Sequence, residues 1–383
     1  MIQKIFEDVT TPKAESLEFK RSNKLPDESR KENQKYITIW LLLTTLGVIA
    51  MIILGGLTRL NDSGLSITTW APITGIIPPF ASHDWQRAFE MYQKTPEFIH
   101  QNFHMTLGEF KTIYWWEWGH RLLGRIVGLG FLLPFLWFTI KKKLPLHCRS
   151  LCFIILVLLG LQGVIGWWMV QSGLVDTRTD VSPVRLAVHL CLALIILMYL
   201  VWTIAVLKRE DWSLVSASRI RNARVVWYAR CFLLLSLLQL FFGALVSGSD
   251  AGKVYTDWPW MEGSFFPSDS FFLPSPFYDV YANLGLVQFI HRLLAYILIF
   301  FSALFWLKTR RMTYGKIGLW SGKFFTFLVV QMVIGISTLY SPDTWITPLL
   351  HQLTAICIVI ILVRTYFEAS YPAELLQKKD KKH

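Results

Sequence analysis

The chain has 383 residues, 53% of them hydrophobic and only 17% charged, with 17 Trp and 27 Phe. A water-soluble fold of that length needs more polar surface, so composition excludes an ordinary globular protein and points to a polytopic membrane protein. The formal net charge of +12 is no nucleic-acid signature, because Lys and Arg sit in short segments between apolar runs, as cytoplasmic loops do.

Residues 1–35 are polar and mix Glu7, Asp8, Glu15 and Glu18 with basic residues. They hold no apolar core for a signal peptide, and the acids argue against a mitochondrial presequence. The segment reads as a disordered cytoplasmic tail of a bacterial inner-membrane protein. Eight apolar runs of about 20 residues, the length that crosses the hydrocarbon core, follow at 36–57, 117–140, 151–170, 184–207, 226–247, 284–307, 319–340 and 347–367. Lys141, Lys142, Lys143 and Arg149 lie between runs 2 and 3. The linker 208–225 is rich in Arg, and Lys308, Arg310, Arg311, Lys316 and Lys323 flank the turn between runs 6 and 7. The opposite loops are poor in positive charge, so both termini are placed in the cytoplasm, including the basic tail 368–383.

Two outer loops are long. Segment 58–116 contains T-R-L-N-D-S-G and Pro72, Pro78 and Pro79, and its length predicts a structured cap. Segment 248–283 carries W-P-W at 258–260; such aromatic residues belong to the interfacial belt. The cysteines at 148, 152, 191, 231 and 357 lie in or beside spans or on the inner side, and helix packing accounts for them.

The spans repeat. H-R-L-L occurs at 120–123 and 291–294, Q-G-V-I-G at 162–166 matches Q-M-V-I-G at 331–335, and span 1 ends in G-G-L-T where span 5 ends in F-G-A-L-V-S. The fold class is therefore an all-α membrane protein of eight transmembrane helices in two pseudo-symmetric four-helix bundles, 36–207 and 226–367. An even number of spans per half makes the repeats parallel. Gln162, Gly166, Gln331 and Gly335 suit helix packing.

Of nine histidines, four lie within apolar spans: His120, His189, His291 and His351, one on each even-numbered span. All four fall within about two turns of the outer start of their spans, at one level. Two imidazoles on facing helices of each bundle is an arrangement for axial ligation of a haem iron; zinc or copper needs three or four ligands converging on one ion. Arg121, Arg125 and Arg292 stand close by, where they either pair with haem propionates or snorkel to the surface. His83, His100 and His104 lie in the first outer loop.

The halves differ at one position. Aligning His120 with His291 sets Glu117 against Gln288. Residues three apart share a helix face, so Glu117 faces the ligand site of His120. Two electron-relay haems have no use for this carboxylate, whereas oxidation coupled to proton transfer does. A structural pairing with Arg121 is the other reading.

G-G-L-T-R-L-N-D-S-G-L-S, W-A-P-I-T-G-I-I-P-P, P-E-F, E-F-K-x-I-Y-W-W-E-W-G-H-R-L-L-G-R-I-V-G, F-G-A-L-V-S-G-S-D-A-G, F-I-H-R-L-L-A and H-Q-L-T-A together resemble the haem A synthase family, in the class shared by alphaproteobacteria and mitochondria, from Trp40 to Tyr366. The resemblance implies an oxidoreductase that converts the C8 methyl of haem O to the formyl of haem A by successive hydroxylations and loss of water. It implies His120 and His189 as axial ligands of the substrate haem O, His291 and His351 as ligands of a cofactor haem b, Glu117 as the catalytic acid or base, and haem sites toward the periplasm. The partners implied are haem O, the lipid membrane and an electron donor, with haem O synthase, oxidase assembly factors and a second copy as candidates. Segment 58–116 has no cysteine, so the cysteine pair used by another class of the family is missing. A dihaem b-type cytochrome for electron transfer or quinol oxidation is the alternative, since four histidines alone serve it equally well.

Overall fold

The computed structural model describes residues 27–175, 178–268, 270, 280–312, 316–341 and 344–372. The amino-terminal tail up to 26 and the basic tail from 373 lie outside the described residues. Among the described residues eight helices are long and apolar enough to cross a membrane: α1 (Asp27–Leu60), α4 (Leu107–Ile140), α5 (Leu146–Gln171), α6 (Pro183–Leu207), α8 (Ala223–Gly248), α9 (Leu284–Thr309), α10 (Ile317–Tyr340) and α11 (Ile346–Ser370). Short helices α2 (Ser82–Tyr92) and α3 (Pro96–His100) lie between the first two spans, and α7 (Asp211–Ile220) lies in the 208–225 linker.

The helices α1, α4, α5 and α6 close into one ring of neighbours, and α8, α9, α10 and α11 into another. The rings meet through α1 and α6 on one side and α8 and α11 on the other. The main apolar core gathers at this junction, where Leu197 and Leu200 of α6 are fully buried beside Val359 of α11. Gln352 ties the rings directly. Its Nε2 donates to the Ile52 carbonyl at 2.6 Å, and its side chain fills the space that a Cβ on Gly56 would take. By contrast α5 and α10 turn apolar side chains such as Phe153, Val157 and Val333 outward, as lipid-facing helices do.

Two helix starts differ from the spans read in the sequence. The first helix begins at Asp27, so the stretch up to 35 extends it as a polar end, with Gln34 donating to the Leu207 carbonyl. More consequential is α4, which begins at Leu107 rather than near 117. Thr106 caps it: its hydroxyl accepts from the Glu109 N–H while the Glu109 carboxylate accepts from the Thr106 N–H at 2.8 Å, the reciprocal capping box. The extra turns are not for lipid. Phe110 and Tyr114 pack with Trp85, Phe89 and Tyr92 of α2 into a separate small core, which makes segment 58–116 a folded cap over the first ring. His120 consequently sits mid-helix, whereas His189, His291 and His351 lie within two turns of the starts of α6, α9 and α11.

Candidate functional site

One cavity of about 1540 Å³ runs through both rings and is lined by His120, His189, His291 and His351 together with Glu117, Arg121, Arg125 and Arg292. Small-molecule pockets are typically about 300–1,000 Å³, so this one has room for more than a single ordinary ligand. All eight residues singled out in the sequence therefore share one space.

Each histidine rests against a glycine of the preceding spanning helix. A Cβ added to Gly166 would stand 2.9 Å from Cε1 and 3.4 Å from Nδ1 of His189. The same two distances recur for Gly243 against His291 and for Gly335 against His351. Gly55 plays this part for His120, but there the opposite ring edge is nearest, with Nε2 at 3.2 Å. No side chain larger than hydrogen leaves these imidazoles where they are. The glutamine one turn before the glycine secures the partner helix: Gln162 donates to the His189 carbonyl at 3.1 Å and Gln331 to the His351 carbonyl at 3.0 Å. Gln239 lies 3.1 Å from Nδ1 of His291. Helix α1 carries Met51 at this place, so the His120 position alone lacks the amide. Sequence reading assigned Gln162, Gly166, Gln331 and Gly335 to helix packing; the packing they provide is of the histidines themselves. We expect Gly335→Val to push the His351 ring off its seat and strip ligand from the second ring without unfolding the helices, read as lost visible absorbance at unchanged circular dichroism.

The His291 and His351 ring centroids are 6.5 Å apart with planes at 67°. Two metal–imidazole bonds of about 2 Å, each extended about 1.2 Å to the ring centre, span about 6.4 Å, so the pair fits one iron between them. Among the described residues no group of three or more His, Cys, Asp or Glu converges as a metal site. Buried polar atoms without a protein partner also gather along the cavity, among them Oε1 of Gln162, Gln239 and Gln331 and Nδ1 of His351. Such atoms mark a place where a ligand or water completes the bonding.

Glu117 is 3% exposed. Its Oε2 accepts from the Ser66 hydroxyl at 2.7 Å and from the Ile67 N–H at 2.8 Å, and its Oε1 accepts from Arg121 at 2.6 Å. The second half bonds its loop in the opposite direction and without the charge: Gln288 donates to the Tyr255 carbonyl at 2.8 Å. In both halves this position anchors the chain that follows the first helix of its ring, and only in the first half is it a carboxylate.

The three arginines do the same work. Arg121 donates to the carbonyls of Ile67 and Thr69, both at 2.8 Å, and Arg125 to those of Ala71 and Pro72, both at 2.9 Å. Arg292 donates to Tyr255, Asp257 and Trp260. They reach into the cavity yet are held by loop carbonyls; Nη1 of Arg125 and Nε of Arg292 remain buried donors without a protein partner.

Sequence reasoning gave no role to several charged residues of the cavity wall. Arg59, at the end of α1, pairs with Asp62 at 2.7 Å and Asp180 at 3.8 Å in its own half and with Asp250 at 3.3 Å in the other. Asp62 and Asp250 hold matching left-handed turns, φ 43° and 54°, each opening a D-x-G stretch, D-S-G at 62–64 and D-A-G at 250–252. Arg185 lies over Trp168 at 4.6 Å and donates to its carbonyl. Glu97 of α3 is 3% exposed. Of the loop histidines, His83 pairs with Asp84 at the surface; none of His83, His100 and His104 lines the cavity.

A family model described as cytochrome oxidase assembly protein, COX15-CtaA, matches residues 38–363. The chain is similar to a protein named "Heme A synthase" from Dinoroseobacter shibae, 41% identical over 374 residues, which is 96% of each chain. It is likewise 42% identical over 348 residues to a "Heme A synthase" from Ruegeria pomeroyi, covering 90% of this chain and 92% of that one, and 40% identical over 351 residues to the one from Roseobacter denitrificans, at 91% and 92%. The eight spans, the cap and the four cradled histidines thus belong to a member of the COX15-CtaA family of cytochrome oxidase assembly proteins, the family of the haem A synthases.

Proposed function

We propose that this multi-pass membrane protein is a haem A synthase, an oxidoreductase that takes haem O as substrate and oxidises its C8 methyl group to the formyl group of haem A. The observation that carries this reading is the pair of glycine-cradled histidine sites in one cavity with a buried carboxylate, Glu117, at only one of them. In this reading His120 and His189 hold the substrate haem in the first ring, and His291 and His351 hold a resident haem b in the second. The two rings are then a pseudo-symmetric pair, one specialised for chemistry. The haem b, when bound, supplies a one-electron carrier beside the substrate.

The chain's own residues orient and protect. The four glycines fix the imidazoles, and Gln162, Gln239 and Gln331 hold the helices that carry three of them. The spare donors of Arg125 and Arg292 suit propionate carboxylates, the bidentate acceptors arginine prefers. Turning a methyl into a formyl group removes hydrogen from carbon, so protons must leave the site, and Glu117 is the base placed for that within the His120 face of α4. Arg121 and the Ile67 N–H fix its two oxygens in place. The charge pattern of the loops supports an orientation with both termini in the cytoplasm and the cap and the histidine level toward the periplasm.

A host without haem A, expressing this chain together with a haem O synthase, should accumulate haem A, detected by chromatography and mass of the extracted haems. An extract holding only haem O and haem b would favour a dihaem electron carrier.

A further inference from the structure

We propose that Glu97 is the proton-relay residue of the first-ring site, the carboxyl group that protonates a leaving hydroxyl of the substrate beside Glu117. The inference rests on the haem A synthase reading and adds a second acid to it. Glu97 lines the same cavity as Glu117 and His120. Its Oε2 is buried with no protein partner, while both oxygens of Glu117 are occupied. Of the two carboxyls, Glu97 alone carries an oxygen without a protein partner.

Its surroundings keep it protonated. The ionisable groups around it are Tyr92 of α2, Glu117 of α4, Asp62 after α1 and Asp180 before α6. Burial, then Glu117, Asp180 and Asp62, push its carboxyl up to about 8, against a Tyr92 hydroxyl that acts the other way. An acid in this state gives up protons near neutral pH, the condition for effective general catalysis, and is spent once the pH rises through about 8.

Loss of water from a carbon bearing two hydroxyls needs such a group and no oxidant. The Glu97 carboxyl O–H protonates one hydroxyl, the C–O bond breaks and water leaves. The O–H electron pair of the remaining hydroxyl forms the C=O bond, and its proton returns to the Glu97 carboxylate.

A neutral acid and an amide have nearly the same shape, so Glu97→Gln separates proton transfer from packing. Full-length protein co-expressed with a haem O synthase should lose haem A about 10²-fold in Glu97→Gln, keep its haem b spectrum, and recover partly in Glu97→Asp. Infrared titration of the purified protein should show a carboxylic-acid C=O band that fades as pH passes about 8 and is missing from Glu97→Gln. That band does not depend on haem A being made, so it decides whether Glu97 carries the proton even if the wild type forms no product, an outcome that would instead overturn the enzymatic reading. Wild-type haem A in Glu97→Gln, loss of haem b along with haem A, or no titrating band that depends on Glu97 would each overturn the proposal.

Discussion

Glu117→Ala will leave haem b in the protein and remove haem A from the extract. A positioned acid or base contributes about 10²–10⁴-fold, and product should fall by at least the lower figure. Alanine also removes the anchor of Ser66, Ile67 and Arg121, so a loosened cap could mimic a chemical defect. The repeat supplies the control. Gln288 shows that a glutamine fits the matching position of the second ring, and in Glu117→Gln the amide oxygen can still accept from Ser66 and Ile67 while the charge is deleted. Both variants inactive, with unchanged thermal stability in the glutamine form, would assign Glu117 to the proton chemistry. An active glutamine variant would return it to a structural role shared by both halves.

Replacing His291 or His351 by alanine will abolish the low-spin haem b signal, and haem A formation will fail with it for want of the electron carrier. The 6.5 Å centroid separation of the pair suits one iron, and a Cβ on the glycine facing each ring would stand 2.9 Å from that ring. A single remaining imidazole leaves an open axial position, which shifts the absorption spectrum even where some haem is retained. Haem content and spectrum equal to wild type in either variant would sink the assignment of the second ring.

The spans were legible because a bilayer demands about 20 apolar residues and the composition between them is unmistakably different. The start of α4 was not, since Leu107–Trp116 holds Glu109, Lys111 and Thr112 among its apolar residues and its Phe110 and Tyr114 pack on α2 rather than on lipid, and hydropathy reports only the lipid. The histidines were readable through the repeat. What held them was not, because a glycine facing a helix and a glycine facing an imidazole look alike in sequence; only the recurrence of Q-x-x-x-G at 162–166, 239–243 and 331–335 carried that signal. Glu117 stood out by comparison with Gln288, while its bonds to Ser66 and Ile67 depend on a loop folding back across some 50 residues. Nothing local distinguishes Glu97 in T-P-E-F, as its burial comes from the cap closing over it. For the arginines, residue type gave the place but not the partners, which are backbone carbonyls and therefore silent in any motif.

The most direct test of two differently specialised rings is the haem composition of purified protein after co-expression with a haem O synthase. The wild type should carry haem b together with haem O or haem A. The His120→Ala, His189→Ala double variant should retain haem b alone, and the His291→Ala, His351→Ala double variant should retain haem O without haem A or haem b. The same mixture of haems in both double variants would contradict the division of labour.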